Sequence, residues 1–157
     1  MSAVREIPAI SRIVLPPYWF FAFLLLQAAL DKYLPLAQWI PPAASHAGWV
    51  LVVAAASLGG WAIVLFRRAK TGIVPFSPST SLVADGPYRI TRNPMYLGMT
   101  LALLGWAVIL GSLSPFVVPP VFAVLVTYLF VLPEEGHMER TFGASYLERK
   151  KRVRRWL

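Results

Sequence analysis

Four long apolar stretches, separated by segments of unequal length, dominate the pattern of this chain. They cover approximately residues 15–34, 47–66, 95–113 and 116–132, and the second contains no charged residue. A helix that crosses the ~30 Å hydrocarbon layer of a bilayer needs about 20 residues at ~1.5 Å of rise per residue. The pattern therefore predicts an all-α membrane protein with about four transmembrane helices and a polar C-terminal tail at 133–157.

The composition agrees with this pattern and favours one domain. Hydrophobic residues make up 57% of the chain and charged residues 14%, whereas soluble domains average about 45–50% and about 25%. A length of 157 residues suits a single domain. Because the basic residues lie next to apolar stretches, we interpret the net charge of +8 as contact with anionic lipid headgroups and not with nucleic acid.

Positive charge is distributed unequally between the two sides that four spans would create. With the N-terminus inside, the outer connections contain only Lys32, and the inner segments contain the other basic residues, from Arg5 and Arg12 to the basic tail. Cytoplasmic loops of membrane proteins carry an excess of Lys and Arg. We therefore expect a multi-pass protein whose N- and C-termini are both cytoplasmic.

The segment before the third span contains a predicted helix start and two arginines. Asn93 followed by Pro94 is typical of an N-cap and the first helical position. A helix that starts here exposes free amides and the positive end of its dipole, which can hold a carboxylate. The same pair also suits a simple cap, and Arg89 and Arg92 suit headgroup contacts as well as an anionic ligand group.

The tail opens with two acidic residues and continues as an amphipathic pattern. Because carboxylates are disfavoured at a helix C-terminus, we expect Pro133 to begin a new helix with Glu134 and Glu135 in its first turn. An acid at the membrane border is a candidate for binding a cation or hydroxyl groups, although the first-turn preference alone also explains the pair. Apolar residues at helical intervals among the basic ones then predict an interfacial helix.

Several other chemistries lack the residues that they need. The sequence has no cysteine, which excludes disulfides and cysteine nucleophiles. No phosphate-loop, G-x-G-x-x-G or H-E-x-x-H pattern occurs, so we expect no metal site. His46 and His137 lie far apart in the predicted topology. His137 is a candidate base near Glu134, but we interpret it as an ordinary surface histidine.

Two motifs follow one another in the C-terminal half of the chain. The first runs from Leu82 to Arg89 and from Arg92 to Gly98; the second comprises Glu134-Glu135, Phe142-Gly143, Tyr146 and basic residues from Lys150. Together they resemble the signature of the isoprenylcysteine carboxyl methyltransferases and the related phospholipid methyltransferases. The N-terminal half is similar to this family only in being helical and apolar.

The resemblance implies S-adenosylmethionine as cofactor, in a cytoplasmic pocket formed by the loop before the third span and the tail. The cofactor has a carboxylate, which suits a helix start, and an amine and ribose, which suit a glutamate. Residue by residue, the resemblance implies cofactor contacts from Thr80, Ser81, Leu82, Val83, Tyr88, Asn93, Pro94, Met95, Tyr96 and Glu134.

Three positions depart from the family's pattern. Asn93 stands where histidine is commoner, Arg149 replaces an aromatic residue and Arg154 replaces a proline. An arginine that helps to hold a substrate carboxylate in the family is absent just upstream of Glu134. The missing arginine bears against a carboxylate acceptor, and the replacements at Arg149 and Arg154 bear against lipid contacts inferred for the tail.

The resulting hypothesis is methyl transfer to an amphiphilic, lipid-like acceptor that enters from the bilayer, with an isoprenylcysteine-like carboxylate as the leading acceptor. A carboxylate needs no base. The amine of a phospholipid would need one, and Glu134 and Glu135 are then the candidates. Arg92, or Arg89, would hold an acceptor anion, so the candidate catalytic residues are Glu134, Glu135 and Arg92.

Two other classes of function stay open. A membrane reductase of the sterol reductase type binds NADPH and shares the helical architecture, and Arg89, Arg92 and Arg140 would suit its extra phosphate. A non-enzymatic scaffold would use only the basic tail to dock on lipid. The oligomeric state does not follow from the sequence.

Overall fold

The computed structural model describes residues 14–72 and 80–157. Its regular elements in these ranges are helices, accompanied by isolated bridges. The predicted all-α class is therefore confirmed for the described residues. Arg5 and Arg12, on which the predicted side of the N-terminus depends, lie outside them.

Six α-helices follow one another along the described ranges. They are α1 (Pro16–Tyr33), α2 (Ser45–Arg68), α3 (Pro94–Leu110), α4 (Val118–Val126), α5 (Leu132–Phe142) and α6 (Ala144–Arg152). Short 3₁₀ turns at Pro42–Ala44, Gly86–Arg89 and Ser114–Val117 precede α2, α3 and α4. Each of α1, α3 and α4 has a proline in its first two positions. Proline has no N–H, and at these positions no helical hydrogen bond is lost, because the first N–H groups of a helix have no partner within it.

The predicted spans agree with the helices in position, but the helices differ in length. Within the described ranges, two helical stretches are long and apolar enough to cross a bilayer, Pro42–Arg68 and Ser114–Phe142. Helix α3 is apolar but has 17 residues, and α1 has 18 residues, against the ~20 that a perpendicular span needs. Four spans in a single domain therefore remain a prediction.

Helices α4 and α5 form one continuous helix, so the expected new helix at Pro133 is wrong. A π-helical turn at Thr127–Val131 joins the two. In α-helical register, residue 133 would bond to the carbonyl of Leu129, but proline has no N–H and its ring would crowd that carbonyl. The π turn changes the register just before the proline and lets the helix continue. Glu134 and Glu135 still lie in the first turn of α5.

Helices α2 and α3 pack closely because glycines lie at their contact. A Cβ atom at Gly48 would be 2.6 Å from the Gly105 carbonyl oxygen, and one at Gly105 would be 2.7 Å from the Gly48 oxygen. A Cβ atom at Gly98 would be 3.0 Å from the Ala55 oxygen. Small residues allow this close backbone approach between membrane helices. The start of α3, which carries part of the first motif, is thereby held against α2.

Helix α1 packs on α3 and α4. The rings of Phe23 and Phe122 lie 5.5 Å apart in a buried cluster. The buried Gln27 side chain donates to the carbonyl oxygens of Leu103 and Pro115 at 3.0 and 3.2 Å. These contacts fasten α1 to the bundle and leave a space between its N-terminal end and α2.

Candidate functional site

A cavity of about 620 Å³ occupies that space. Its volume lies within the ~300–1,000 Å³ of small-molecule sites, which are mostly apolar with a few placed polar groups. Phe20 of α1, Ala56 and Gly60 of α2 and Met99 of α3 contribute to the apolar wall. Residues of α5, α6 and the segment before α3 complete it with polar side chains.

The end of the chain holds the segment before α3 in place. Gly86, with a φ of 58° that favours glycine, begins the 3₁₀ turn that buries Tyr88. Thr91 Oγ1 and Asn93 Nδ2 donate to the Arg155 carbonyl at 3.1 and 2.9 Å. Asn93 therefore precedes α3 without a side-chain capping bond. Its expected N-cap position is confirmed, because its carbonyl accepts the helical bond of the Leu97 N–H at 3.0 Å, but the expected capping bond of its side chain is not made.

The tail consists of two helices and a return segment. Gly143, with a φ of 52°, separates α5 from α6, and α6 buries Tyr146. After α6 the chain returns to the segment before α3, where the Arg92 N–H donates to the Arg154 carbonyl at 3.0 Å. Trp156 then packs on the apolar core. The tail is therefore a wall of the cavity as well as a basic surface.

Glu134 lines the cavity and, among the described residues, accepts a hydrogen bond from one neutral side chain. Tyr96 Oη donates to Glu134 Oε1 at 2.7 Å, and the Tyr96 ring stacks on Phe130 with centroids 6.2 Å apart. In the described part of the chain, Glu134 has no ion pair. A carboxylate has about four lone-pair sites, so Glu134 has capacity left for a ligand.

Glu135, the next residue, is surrounded by three cations. Its Oε1 lies 3.2 Å from Arg92 Nη2 and 2.9 Å from Arg155 Nε, and its Oε2 lies 3.0 Å from Arg155 Nη2 and 3.9 Å from Lys150 Nζ. Hydrogen bonding to Glu135 raises the pKa of Arg155. Glu135 thus links α5 to the segment before α3, to α6 and to the C-terminal segment.

Arg92 lines the cavity with unused hydrogen-bond donors. Its side chain is 9% exposed and its Nη2 pairs with Glu135. Its Nε and Nη1 are buried without a partner among the residues that the structure describes. A buried donor that is left unsatisfied costs free energy. The N–H groups of these two nitrogens are therefore suited to an anionic or carbonyl group of a ligand.

Two buried tyrosines, Tyr88 and Tyr146, and Arg149 line the cavity together with Glu134, Glu135 and Arg92. The Tyr88 ring lies 5.5 Å from the Phe66 ring, and burial raises the pKa of Tyr88 well above its usual value. Burial also raises the pKa of Tyr146 to about 12, so both hydroxyls are neutral at physiological pH. Arg149, whose pKa burial lowers, donates to the Tyr88 carbonyl at 2.6 Å.

The structure brings together all but one of the residues predicted for the site. Thr80 is exposed and does not line the cavity; its N–H donates to Thr71 Oγ1 and its hydroxyl donates to the Lys70 carbonyl, both at 3.1 Å. Thr80 therefore ties the loop to the end of α2. The predicted residues that do line the cavity are Ser81, Leu82, Val83, Tyr88, Arg92, Asn93, Pro94, Met95, Tyr96, Glu134 and Glu135.

Comparison with known proteins identifies the family of the chain. The family model of the phospholipid methyltransferases matches residues 44–145, which is more than half of the chain. The chain belongs to the phospholipid methyltransferase family. The resemblance inferred from the two motifs is thereby confirmed. An uncharacterized protein of Haemophilus influenzae is 35% identical over 63 residues, which are 40% of this chain and 100% of that relative. No solved structure matches the chain.

Family membership makes this protein a methyltransferase of a membrane-associated type. The matched region includes Arg92, Tyr96, Glu134 and Glu135. It ends before Arg149, which lines the cavity, and before Arg155, which pairs with Glu135. The part of the tail after residue 145 is therefore the part of the site that the family match does not cover.

Three features of the cavity were missed from the sequence. His137 lines it, although we interpreted this residue as an ordinary surface histidine, and Arg149 lines it as well. Gly59 and Gly60 also line it, and a Cβ atom on either would meet nothing within 4 Å. Sequence signals existed for each: the spacing of His137 from Glu134, the departure from the family at position 149, and two helix-disfavouring glycines inside an apolar span.

Proposed function

We propose that this protein transfers a methyl group from S-adenosylmethionine to an amphiphilic acceptor at the membrane surface. One observation supports this above the others: a single cavity joins the carboxylate of Glu134 and the free N–H groups of Arg92 to an apolar wall. Ala56 and Gly60 line this wall and are also exposed. A lipid-like acceptor therefore has access to the cavity from the side.

The polar end of the cavity fits the cofactor. When bound, S-adenosylmethionine supplies an electrophilic methyl group on a sulfonium sulfur. Amides in the first turn of α3 lack helical partners and, with Arg92 Nε and Nη1, would hold the cofactor's carboxylate. Glu134 would accept hydrogen bonds from its amine or ribose hydroxyls. The ring of Tyr88 or Tyr96 would lie against the cation or the adenine.

The cavity favours an amine as the acceptor group. Glu134 has no ion pair in the described residues, whereas the charge of Arg92 is shared with Glu135. When ionised, Glu134 would attract an ammonium headgroup, and a phospholipid amine is also consistent with the family's description. The isoprenylcysteine-like carboxylate remains the second candidate, supported by the unused N–H groups of Arg92.

The chain's own residues would act by positioning and by excluding water. Neutral Tyr88 and Tyr146, together with the apolar wall, keep the reacting groups in a water-poor space. Aligning donor and acceptor in such a space removes much of the entropic barrier of a bimolecular displacement. The role proposed for Glu134 and Arg92 is to hold ligands, while Glu135 keeps the walls together.

We further propose that the cavity lies on the cytoplasmic side, with four spans and both termini on that side. Basic residues cluster at this end of the bundle, on the end of α2, on the segment before α3 and on the tail. Lys151 and Arg152 are exposed at the end of α6. Arg154, which follows this helix, is exposed as well. Such residues suit anionic lipid headgroups at the inner leaflet.

Calorimetric titration of the detergent-purified protein with S-adenosylhomocysteine, with NADPH in parallel, tests the donor. We expect S-adenosylhomocysteine to bind and NADPH not to bind. Glu134→Ala should lose the binding of S-adenosylhomocysteine, because the variant lacks the carboxylate that accepts the ligand's hydrogen bonds. Binding of NADPH alone would favour a reductase of the sterol type, and binding of neither would favour a scaffold. A parallel assay with phosphatidylethanolamine and with a prenylated cysteine distinguishes the two acceptors.

A further inference from the structure

We infer that His137 accepts the proton that an amine acceptor loses before methyl transfer, an inference that rests on the proposed function and deepens it. His137 lies on α5, three residues after Glu134, and this spacing places both side chains on neighbouring positions of one helix face. Both line the cavity. The pair therefore presents a carboxylate and an imidazole to the same bound group.

The Nε2 atom of His137 has no partner of its own. It is buried and makes no hydrogen bond within the described ranges. Buried polar atoms are normally satisfied by protein, water or ligand. In the tautomer with the proton on Nδ1, Nε2 accepts a hydrogen bond, so it offers an acceptor position to a group inside the cavity.

The two glutamates of the cavity already have hydrogen-bond or ion-pair partners. Glu135 is occupied by Arg92, Arg155 and Lys150. Glu134 accepts from Tyr96 and, as an anion, would hold the acceptor's ammonium in place. The titratable and charged groups that share the cavity with His137 are Glu134 and Glu135 on α5, Tyr96 on α3, Tyr88 and Arg92 before α3, and Tyr146 and Arg149 on α6.

The proposed step balances in atoms and charge. The acceptor ammonium gives one proton to His137 Nε2, and the freed nitrogen lone pair forms a bond to the methyl carbon. The bond between that carbon and the sulfonium sulfur breaks, and its electron pair stays on sulfur as a thioether. The methylated nitrogen now carries the positive charge, and the imidazolium releases its proton to water. A carboxylate acceptor has a lone pair already and does not need this step.

The variant His137→Gln tests this role because glutamine keeps polar hydrogen bonding but does not act as a base at neutral pH. We expect calorimetry to give an unchanged affinity for S-adenosylhomocysteine. In vesicles that contain phosphatidylethanolamine, kcat for methylation should fall by about 10²–10⁴-fold, as for loss of a general base. The loss should shrink as the pH rises, because the acceptor amine then loses its proton to bulk solvent.

His46→Gln is the matched control, since His46 lies at the start of α2 beside the Ala43 carbonyl; it should leave the rate unchanged. If His137→Gln keeps the wild-type kcat, or if its loss is the same at every pH, the inference is overturned and the methyltransferase proposal stands. Methylation of only a carboxylate by the wild-type protein overturns both the amine acceptor and this role. Failure of the wild-type protein to bind S-adenosylhomocysteine overturns the donor assignment, and the inference with it.

Discussion

Glu134 and Glu135 are neighbours in one helical turn, yet they lie in opposite surroundings. Glu134 meets a single neutral hydroxyl, that of Tyr96, and faces open space in the cavity. Glu135 is 7% exposed at its side chain and is surrounded by Arg92, Arg155 and Lys150. One carboxylate is available to a ligand, and the other holds four segments of the chain together.

This difference follows from helix geometry. Successive residues of an α-helix are rotated by about 100° around its axis, so Glu134 and Glu135 point to different neighbours. A buried ion pair is a weak source of net stability, but removing one partner leaves an uncompensated charge. We therefore expect substitutions around Glu135 to affect folding most, and those around Glu134 to affect ligand binding.

Glu135→Gln should produce the largest loss of stability. It leaves the nearly buried Arg92 without its anion and weakens the docking of the tail, at an expected cost of about 3–5 kcal/mol. Unfolding of the detergent-solubilised protein measures this loss. Glu139→Gln is the matched control, because Glu139 also pairs with Lys150 but is 27% exposed at its side chain; it should cost less than about 1 kcal/mol. Equal losses in both variants would contradict the assignment.

Tyr96→Phe should reduce stability less than Glu135→Gln does, and it should weaken ligand binding. The variant keeps the ring that stacks on Phe130 but removes the donor to Glu134. A hydrogen bond to a charged group contributes about 1.5–3 kcal/mol. We expect a loss of stability in this range together with weaker calorimetric binding of S-adenosylhomocysteine. Unchanged affinity would indicate that Glu134 does not depend on Tyr96 for its position.

Arg155→Gln should have the smallest effect. Its side chain is 37% exposed, solvent screens it, and Arg92 still pairs with Glu135. Its carbonyl, which holds Thr91 and Asn93, is unchanged. We expect a loss of about 1 kcal/mol or less in the same unfolding assay. A loss larger than that of Glu135→Gln would mean that Arg155, not Glu135, anchors the tail.

The helices and most of the cavity lining were predictable from the sequence, and each error has a specific structural cause. Apolar length located α1 to α4, and the two motifs predicted residues that the fold brings to one cavity. The break expected at Pro133 is wrong because a π turn, which has no reliable sequence signal, absorbs the proline. Asn93 is the N-cap residue as expected, but its side chain makes no capping bond, and its amide donates to a partner 62 residues away, at Arg155.

The sequence by itself determined the membrane class, the helical fold and the family, because apolar length and local motifs depend on neighbouring residues alone. Only the tertiary structure decided which acidic residue is paired and which is open, and that Thr80 lies outside the cavity. It also brought His137 and Arg149 to the cavity wall. These properties depend on where the C-terminal segment returns and how α2 packs on α3, contacts between residues far apart in the chain that no local pattern encodes.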